Sequence, residues 1–592
     1  MKVSGAQLMA RTLRESGIDL VAGIPGHTVT SLANAVAREE GLTPFLLRHE
    51  AIGTFAADVY YRVSGRLMAV FTHTFPGATN ALAGVANAYA DSSAMLLIVG
   101  ETAGPALGRG AYQELSRQFD GDTAQLIRHV VKRVWQPREA RDLVDKTFLA
   151  VRTALSGRPG PAALAVFQEI WEQEVDIPDW PSSKGYLFKG RSRPPADAIE
   201  RVAAMIRSAK RPLILAGNGV NLARCRPELK KLAERLGIPV ATTVSGKGGF
   251  PDTHPLSLGT VGWVGTAAAN YAAKNADLVI CFGARLTETT TSSWQPGLTW
   301  NFPDAKLVQI DVEAASIANW YPVDEAVVGD AGLVALDLLA AFGRGAHSGE
   351  LPWLAELDRQ KATWAEVVRK SQVPGTRGLI GVGAVVSALQ NEYADTSVNF
   401  VCDVGKHHKW VSQQWIARED DYVINSVAAG VMGLGPSGAI GAVLARPSVP
   451  TIGWTGDGGM SMALYAWPTV AERQLPIKYI VIDDAAYGAV ANIELQQFGR
   501  TVFSEFDGGG KNRGYRLDLA AVAAAIGIPS RKVEDPAEIA DALAWARNTD
   551  GPTVVTFAVD RKSVAPSGGG QYLHALWDHR PTPWAGETMV KV

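Results

Sequence analysis

Ten short apolar runs punctuate the chain: LMAVFTH, AMLLIVG, AALAVF, RPLILAGNG, ADLVICFG, KLVQIDV, VNFVCDVG, PTIGWTGDG, IKYIVIDD and PTVVTFAV. Helix-length segments separate them. Runs of this kind read as strands buried on both faces, and the spacers are long enough for the crossovers that parallel strands require. The expected fold class is therefore α/β, built from doubly wound parallel sheets. At 592 residues the chain is too long for one such sheet. Two polar, Pro- and Gly-rich stretches, DIPDWPSSKGYLFKGRSRPPAD near 176–197 and GRGAHSGELP near 343–352, read as linkers. They mark three domains at 1–175, 195–342 and 365–560. A tail at 561–592, rich in Gly and Pro, reads either as a disordered end or as a flap over a site.

Charge narrows the partners. Lys plus Arg number 57 and Asp plus Glu 59, a net charge of −2, which gives no field to gather nucleic acid or anionic lipid. No apolar run approaches the roughly 18 residues of a membrane span, and the N-terminus lacks a signal-type apolar core, so a cytoplasmic protein without membrane partners is expected. Cys225, Cys281 and Cys402 lack a C-x-x-C pair and read as core thiols.

The sharpest local signal is a pair of acidic strand ends. One apolar run closes on Gly456-Asp457-Gly458-Gly459, and the next on Asp483-Asp484-Ala485-Ala486-Tyr487, placing Asp457 and Asp484 27 positions apart. Ligands bind at the carboxyl edge of an open parallel sheet. A hard cation such as Mg2+ takes carboxylates, carbonyls, water and phosphate oxygens, while glycines at a helix N-terminus accept phosphate. This spacing suits a diphosphate held through Mg2+, although two acidic strand ends taken alone also fit ordinary turns or caps.

GDGGMSMALYAWPTVAERQLPIKYIVIDD resembles the cofactor motif of thiamine-diphosphate enzymes, which runs from GDG to NN; the NN is DD here. The first block resembles the pyrimidine-binding domain of that family through IPGHTVTSLANAV, RHEAIGTFAADVYYRVSG, FTHTFPGATNALAGVANAYADSSAMLLIVGE and GAYQE. DVGKHHKW and INSVAAGVMGLGPSGAIGAVLA resemble acetolactate-synthase segments. The resemblance implies pyrimidine-binding, middle and diphosphate-binding domains, with thiamine diphosphate and Mg2+ as cofactors. It assigns Glu50 to the aminopyrimidine, where it promotes loss of the thiazolium C2 proton and formation of the ylid, ahead of an enamine intermediate. Val404, Gly405, Lys406, His407, Gly456, Gly458, Gly459 and Tyr487 would hold the cofactor. Met432, in GVMG, would be the apolar wedge that bends it, with the Gly430 carbonyl on its amine. Asp457, Asp484 and the Ala486 carbonyl would bind the metal. Gln113, His27 and His73 complete the candidate catalytic set, the imidazoles as groups that orient water or move protons.

The middle block resembles the FAD-binding domain of acetolactate-synthase relatives, placing Gly217, Gly219, Gly262, Arg285, Asp311 and Asp330 at candidate FAD contacts. Ile493 stands where acetolactate synthases carry a substrate-recognising Trp, and Thr289 where they carry an Arg. GHT at 26–28, His73 and DDAAYGA resemble cyclohexane-1,2-dione hydrolase, although Thr30 replaces a further His of that enzyme. The favoured expectation is cleavage of a carbon–carbon bond beside a carbonyl, in a 1,2-diketone or 2-oxo acid. The alternatives are an acetolactate-synthase-like carboligase and a cofactor-binding pseudoenzyme. The resemblance also implies a homodimer or homotetramer, because the family site lies between the first block of one subunit and the third of another.

Overall fold

A computed structural model of the chain describes residues 1–114, 123–187, 190–343, 351–512 and 515–569. It holds three six-stranded parallel sheets, one per expected domain. With the strands of each domain numbered along the chain, the first and third sheets share the spatial order 2-1-3-4-6-5, and the middle sheet runs 3-2-1-4-5-6. The outer domains are thus topological twins. In both, the strand order reverses between strands 1 and 3, where a doubly wound sheet opens a crevice for ligands. Those strands are Leu20–Gly23 and Ala69–His73 in the first domain, and Asn399–Cys402 and Thr451–Gly456 in the third.

Lys2–Ser4 pairs antiparallel with Glu174–Asp176 and ties the two ends of the first domain together. The other boundary needs correction. Helix Leu351–Ser371 runs through position 365, and its Trp353 and Leu357 are buried in the core of the middle domain. Apolar side chains four apart on one helical face dock it there, so position 365 is not a domain start. Of the tail, residues 561–569 are described. Gly568 O accepts from Asn270 Nδ2 (2.8 Å) and Pro566 O from Gln413 Nε2 (2.9 Å), so this segment bridges the middle and third domains. The remainder of the tail lies outside the described residues. All three cysteines are buried, as expected.

The outer domains share one hydrophobic core, which includes Phe55 and Val59 from helix Glu50–Ser64 and Leu434 and Ile440 from helix Leu434–Ala445. The second helix is rich in small residues, and that permits the closeness. A Cβ on Gly441 would lie 2.0 Å from the Ala56 carbonyl oxygen. Inside this joint sits a buried ionic cluster. Arg62 donates to both Asp58 oxygens (2.7 and 3.0 Å), to the Asn425 carbonyl (2.9 Å) and to Ser93, and pairs with Asp91 (3.0 Å). Asn87 donates to Asp58 and accepts from Ser426 Oγ (2.8 Å), linking the first domain to the start of the segment that carries Gly430 and Met432.

Candidate active site

The switch point of the third domain opens a cavity of about 350 Å³. Every third-domain candidate from Val404 to Tyr487 lines it: the turn Val404-Gly405-Lys406-His407 after strand 1, Gly430 and Met432, the run Gly456 to Gly459 after strand 3, then Asp484, Ala486 and Tyr487. Asp457 opens the short helix Asp457–Met462 and is buried. Asp484 sits over Gly488, where a Cβ would come within 2.1 Å of its carboxylate. Asp483 pairs with Arg516 (3.1 Å) and also hydrogen-bonds Asp457.

Met432 projects from a turn at the cavity wall. It lies in the turn before helix Leu434–Ala445, because Gly433 adopts a left-handed φ of 99° as the N-cap. Asp403 holds this turn. Its buried carboxylate accepts from Gly433 N (3.0 and 2.9 Å), Thr455 Oγ1 (3.0 Å) and Val404 N (3.1 Å), tying both strand ends to the Met432 turn. A Cβ on Gly459 would lie 2.5 Å from Asp403, and one on Gly458 would lie 2.9 Å from the Tyr487 ring. These two glycines therefore make room for neighbouring side chains as well as forming the cavity wall. Arg561 donates to the carbonyls of Asp484 (2.9 Å) and Ala485 (3.2 Å) and pins the turn before Ala486. Neither Asp403 nor Arg561 stood out in sequence, although an acid closing the run VNFVC was a signal of the same kind as Asp457.

Two buried carboxylates share the cavity, with Lys406 and Arg561 acting on one of them. Burial, then Asp484 and Asp483, push the Asp457 carboxyl well above its ordinary range. Burial raises Asp484 to about 6, against the pull of Lys406 and Arg561. Like carboxylates in one dry site resist joint ionisation until a cation joins them. Among the described residues no group of three His, Cys, Asp or Glu side chains forms a closed metal cage. Two carboxylates with the Ala486 carbonyl leave the other positions to phosphate oxygens and water, which suits Mg2+. The donor set and the glycine-lined wall fit a diphosphate held through that ion.

Asp457→Asn is expected to leave the apoprotein as stable as the parent or slightly more so, because it removes a like-charge contact. It should also abolish the melting-temperature rise produced by thiamine diphosphate with Mg2+, a stabilisation of about 2.7 kcal/mol at a hundredfold excess over Kd. Differential scanning calorimetry checks both arms.

His407 packs against Gly405 and Gly456, and burial lowers it to about 3; burial lowers its neighbour His408 to about 4. Histidines held neutral in the fold bind fewer protons than in the unfolded chain below pH ~6.5, so their stabilising contribution is whole above that pH and lost as pH falls toward 4. His408→Gln is expected to flatten the stability loss between pH 6.5 and 4 by about 1.4 kcal/mol per pH unit, as measured by denaturant titration across that range.

The first-domain candidates gather at the equivalent switch point. Glu50 is the first residue of helix Glu50–Ser64, capped by His49, whose Nδ1 accepts from Ala51 N (3.2 Å). Glu50 is 7% exposed; it accepts from Asn80 Nδ2 (3.0 Å) and lies beside Gly77. His73 ends strand 3. Its Nδ1 meets Thr28 Oγ1 (2.8 Å), its Nε2 meets Gln113 Oε1 (2.7 Å), and its ring lies 4.5 Å from that of His27. Burial lowers the His73 pKa. His27 and Tyr112 are exposed, so this half-site faces solvent in the single chain. None of these first-domain residues lines the third-domain cavity.

The FAD candidates are engaged within the fold. Cβ atoms on Gly217 and Gly219 would meet Gly283 at 2.1 and 2.6 Å, and one on Gly262 would meet Thr289 O at 2.1 Å. Asp330 caps helix Ala331–Phe342 and pairs with Arg191 (2.7 Å). Arg285 donates to the Ala90 carbonyl (2.9 Å), and Asp311 accepts from Glu313 N (2.9 Å). Close backbone packing and capping engage these residues within the fold.

Twin sheets that open at the same switch point, one edge acid-lined and the other bearing a buried Glu beside paired imidazoles, define a three-domain α/β enzyme that works with a diphosphate cofactor. Family models for the thiamine pyrophosphate enzymes match all three domains: the N-terminal TPP binding domain at 3–120, the central domain at 199–339 and the C-terminal TPP binding domain at 403–557. A probable acetolactate synthase large subunit of Methanococcus aeolicus is 30% identical over 95% of this chain and 93% of its own length. The acetolactate synthase large subunit of Parasynechococcus marenigrum is 31% identical over 94% of this chain and 88% of its own, and the chloroplastic acetolactate synthase of Arabidopsis thaliana 28% over 95% and 83%. The chain belongs to the thiamine pyrophosphate enzymes, in the group that resembles acetolactate synthase large subunits; thiamine pyrophosphate is another name for thiamine diphosphate. Among the described residues no helix is long and apolar enough to cross a membrane.

Proposed function

We propose that the protein is a thiamine-diphosphate- and Mg2+-dependent carboligase. It would join the carbonyl carbon of a 2-oxo acid, with loss of CO2, to the carbonyl carbon of a second oxo compound, whose oxygen takes up a proton to give a 2-hydroxyketone. This reverses the order of preference drawn from sequence, where cleavage came first. The observation that carries the cofactor reading is the glycine-walled cavity with two buried carboxylates. Near full-length similarity to acetolactate synthases supports the ligating direction, as does the apolar wall contributed by Val382, Met432, Ile482, Val490 and Val559. Such a wall disfavours attack by water on the reacting centre.

When bound, the cofactor would supply the electron sink for breaking and making bonds beside a carbonyl. The protein's part is to hold it. Asp457, Asp484 and the Ala486 carbonyl would bind the metal, Gly405, Lys406 and His407 would face the diphosphate, and Met432 would wedge the cofactor. Glu50 would exchange a proton with the pyrimidine ring. We assign the complete site to two copies of the chain, in a homodimer or homotetramer. The cavity is walled by one chain's third domain, and exposed apolar residues such as Leu495, Phe498 and Phe503 lie on or just after the helix that carries Val490.

A second reading is water-dependent cleavage of a 1,2-diketone, as in cyclohexane-1,2-dione hydrolase. The contact between His27 and His73 and the presence of Ile493 and Thr289 favour it over a housekeeping acetolactate synthase. Proton NMR of products from pyruvate, other 2-oxo acids and cyclic 1,2-diones separates the readings. A 2-hydroxyketone supports ligation, and a ring-opened oxo acid replaces it with cleavage. Cofactor binding without any turnover would leave a pseudoenzyme.

A further inference from the structure

We propose that Ser426 is a positioning residue that fixes the turn carrying Gly430 and Met432 by tying it to the first domain, through a chain of buried hydrogen bonds that starts at Arg62. The inference rests on reading that turn as the wall that bends the cofactor. Arg62 donates to both carboxylate oxygens of Asp58 (2.7 and 3.0 Å), so Asp58 meets its next partner as an acceptor. That partner is Asn87 Nδ2, at 2.6 Å. An amide that presents its NH2 group to a carboxylate has its carbonyl oxygen on the other side, and Asn87 Oδ1 takes the hydroxyl proton of Ser426 (2.8 Å). With its single proton committed, Ser426 Oγ is an acceptor, and Val431 N donates to it (2.9 Å). The bonds from Asp58 to Val431 therefore share one polarity, and they cross from the first domain to the third between Asn87 and Ser426.

This chain reaches a segment with little else to shape it. Asn87 and Ser426 are buried, whereas Ala428, Ala429 and Gly430 are exposed, and a Cβ on Gly430 (φ 61°) would have no atom within 4 Å. Met432 lies between two anchored backbone groups: Val431 N on Ser426, and Gly433 N on the buried carboxylate of Asp403 (3.0 and 2.9 Å). The second anchor lies within the third domain; the first is held from outside it. Arg62 also donates to the Asn425 carbonyl (2.9 Å), where the segment leaves strand Tyr422–Asn425. Removing the Ser426 hydroxyl would leave Asn87 Oδ1 without this donor and Val431 N without its acceptor, and would free the backbone one residue from Met432.

Helix Thr74–Asp91 explains why the anchor falls on Asn87. About two turns earlier on the same face, Asn80 Nδ2 donates to Glu50 (3.0 Å), as Asn87 Nδ2 does to Asp58. Two rungs of asparagine on carboxylate thus lock this helix against helix Glu50–Ser64, and one face serves both the Glu50 carboxyl and the Met432 turn.

Two measurements test this. In the apoprotein, Ser426→Ala is expected to speed amide hydrogen exchange about tenfold or more in the peptide containing Val431, read by mass spectrometry, with the peptide of strand Thr451–Gly456 unchanged. Parental protection at Val431 overturns the proposal. In the protein loaded with thiamine diphosphate and Mg2+, the same variant should slow exchange of the cofactor C2 proton for deuterium about tenfold, followed by proton NMR after acid quench. The Kd for the cofactor should stay within about threefold of the parent, because the groups that would anchor the diphosphate are untouched. Parental C2 exchange, or a loss of affinity as large as the loss of exchange, overturns the positioning role. Ser426→Cys, close in size and a weak hydrogen-bonding group, repeats both arms if Ser426→Ala folds poorly. Amide exchange needs no cofactor, so a parent protein that bound no thiamine diphosphate would remove the proposed function and leave the amide result to decide this inference.

Discussion

Glu50→Gln is expected to lower turnover by about 10²- to 10⁴-fold, the usual share of a positioned proton-transfer group, while thiamine diphosphate and Mg2+ still bind. The separation of effects follows from geometry. The cavity that would hold the diphosphate is walled without Glu50, so the substitution does not touch the groups that anchor the cofactor. Gln keeps the size of the side chain and one acceptor for Asn80 Nδ2, and the cap of helix Glu50–Ser64, which His49 supplies, is untouched. What it removes is a carboxyl able to exchange a proton. Steady-state kinetics alongside calorimetric titration with cofactor check this; a variant within about threefold of the parent would remove Glu50 from the chemistry.

Arg62→Met is the substitution expected to cost most in stability, about 3–5 kcal/mol. Arg62 is the cation between Asp58 and Asp91, and all three are buried. Burial already raises the Asp91 pKa despite this pairing. Without the guanidinium, two carboxylates would remain in a dry joint, and the Asn425 carbonyl would lose its donor. Arg66→Met is the control: the pair it forms with Asp19 is exposed, and its loss should cost less than about 1 kcal/mol. Chemical denaturation of the three proteins distinguishes a buried linchpin from ordinary charge removal.

The sequence made the sheets and the third-domain half-site legible for one reason: buried parallel strands must be apolar along their whole length, and their ends must carry the polar residues that meet a ligand. Asp457, Asp484 and the glycines beside them all lie at such ends. Most of the linker reading near 343–352 lies outside the described residues, and helix Leu351–Ser371 after it docks on the middle domain through a surface that no linear pattern shows.

Contacts between distant segments were illegible. Asp403 with Gly433, Arg561 with the Asp484 carbonyl, and Asn87 with Ser426 join residues 30, 77 and 339 positions apart, and no local periodicity encodes them. Gly217, Gly219 and Asp330 likewise make close backbone approaches and a helix cap that no linear pattern encodes.

The central claim is that the active site forms when the first-domain half-site of one chain meets the third-domain cavity of another. Mixing Glu50→Gln protein with Asp457→Asn protein, each inactive alone, after dissociation and reassociation tests it directly. Random pairing makes half of the dimers mixed, each with one intact site, so recovery of roughly a quarter of parental turnover is expected. No recovery from demonstrably mixed oligomers would contradict the claim and place both half-sites in one chain.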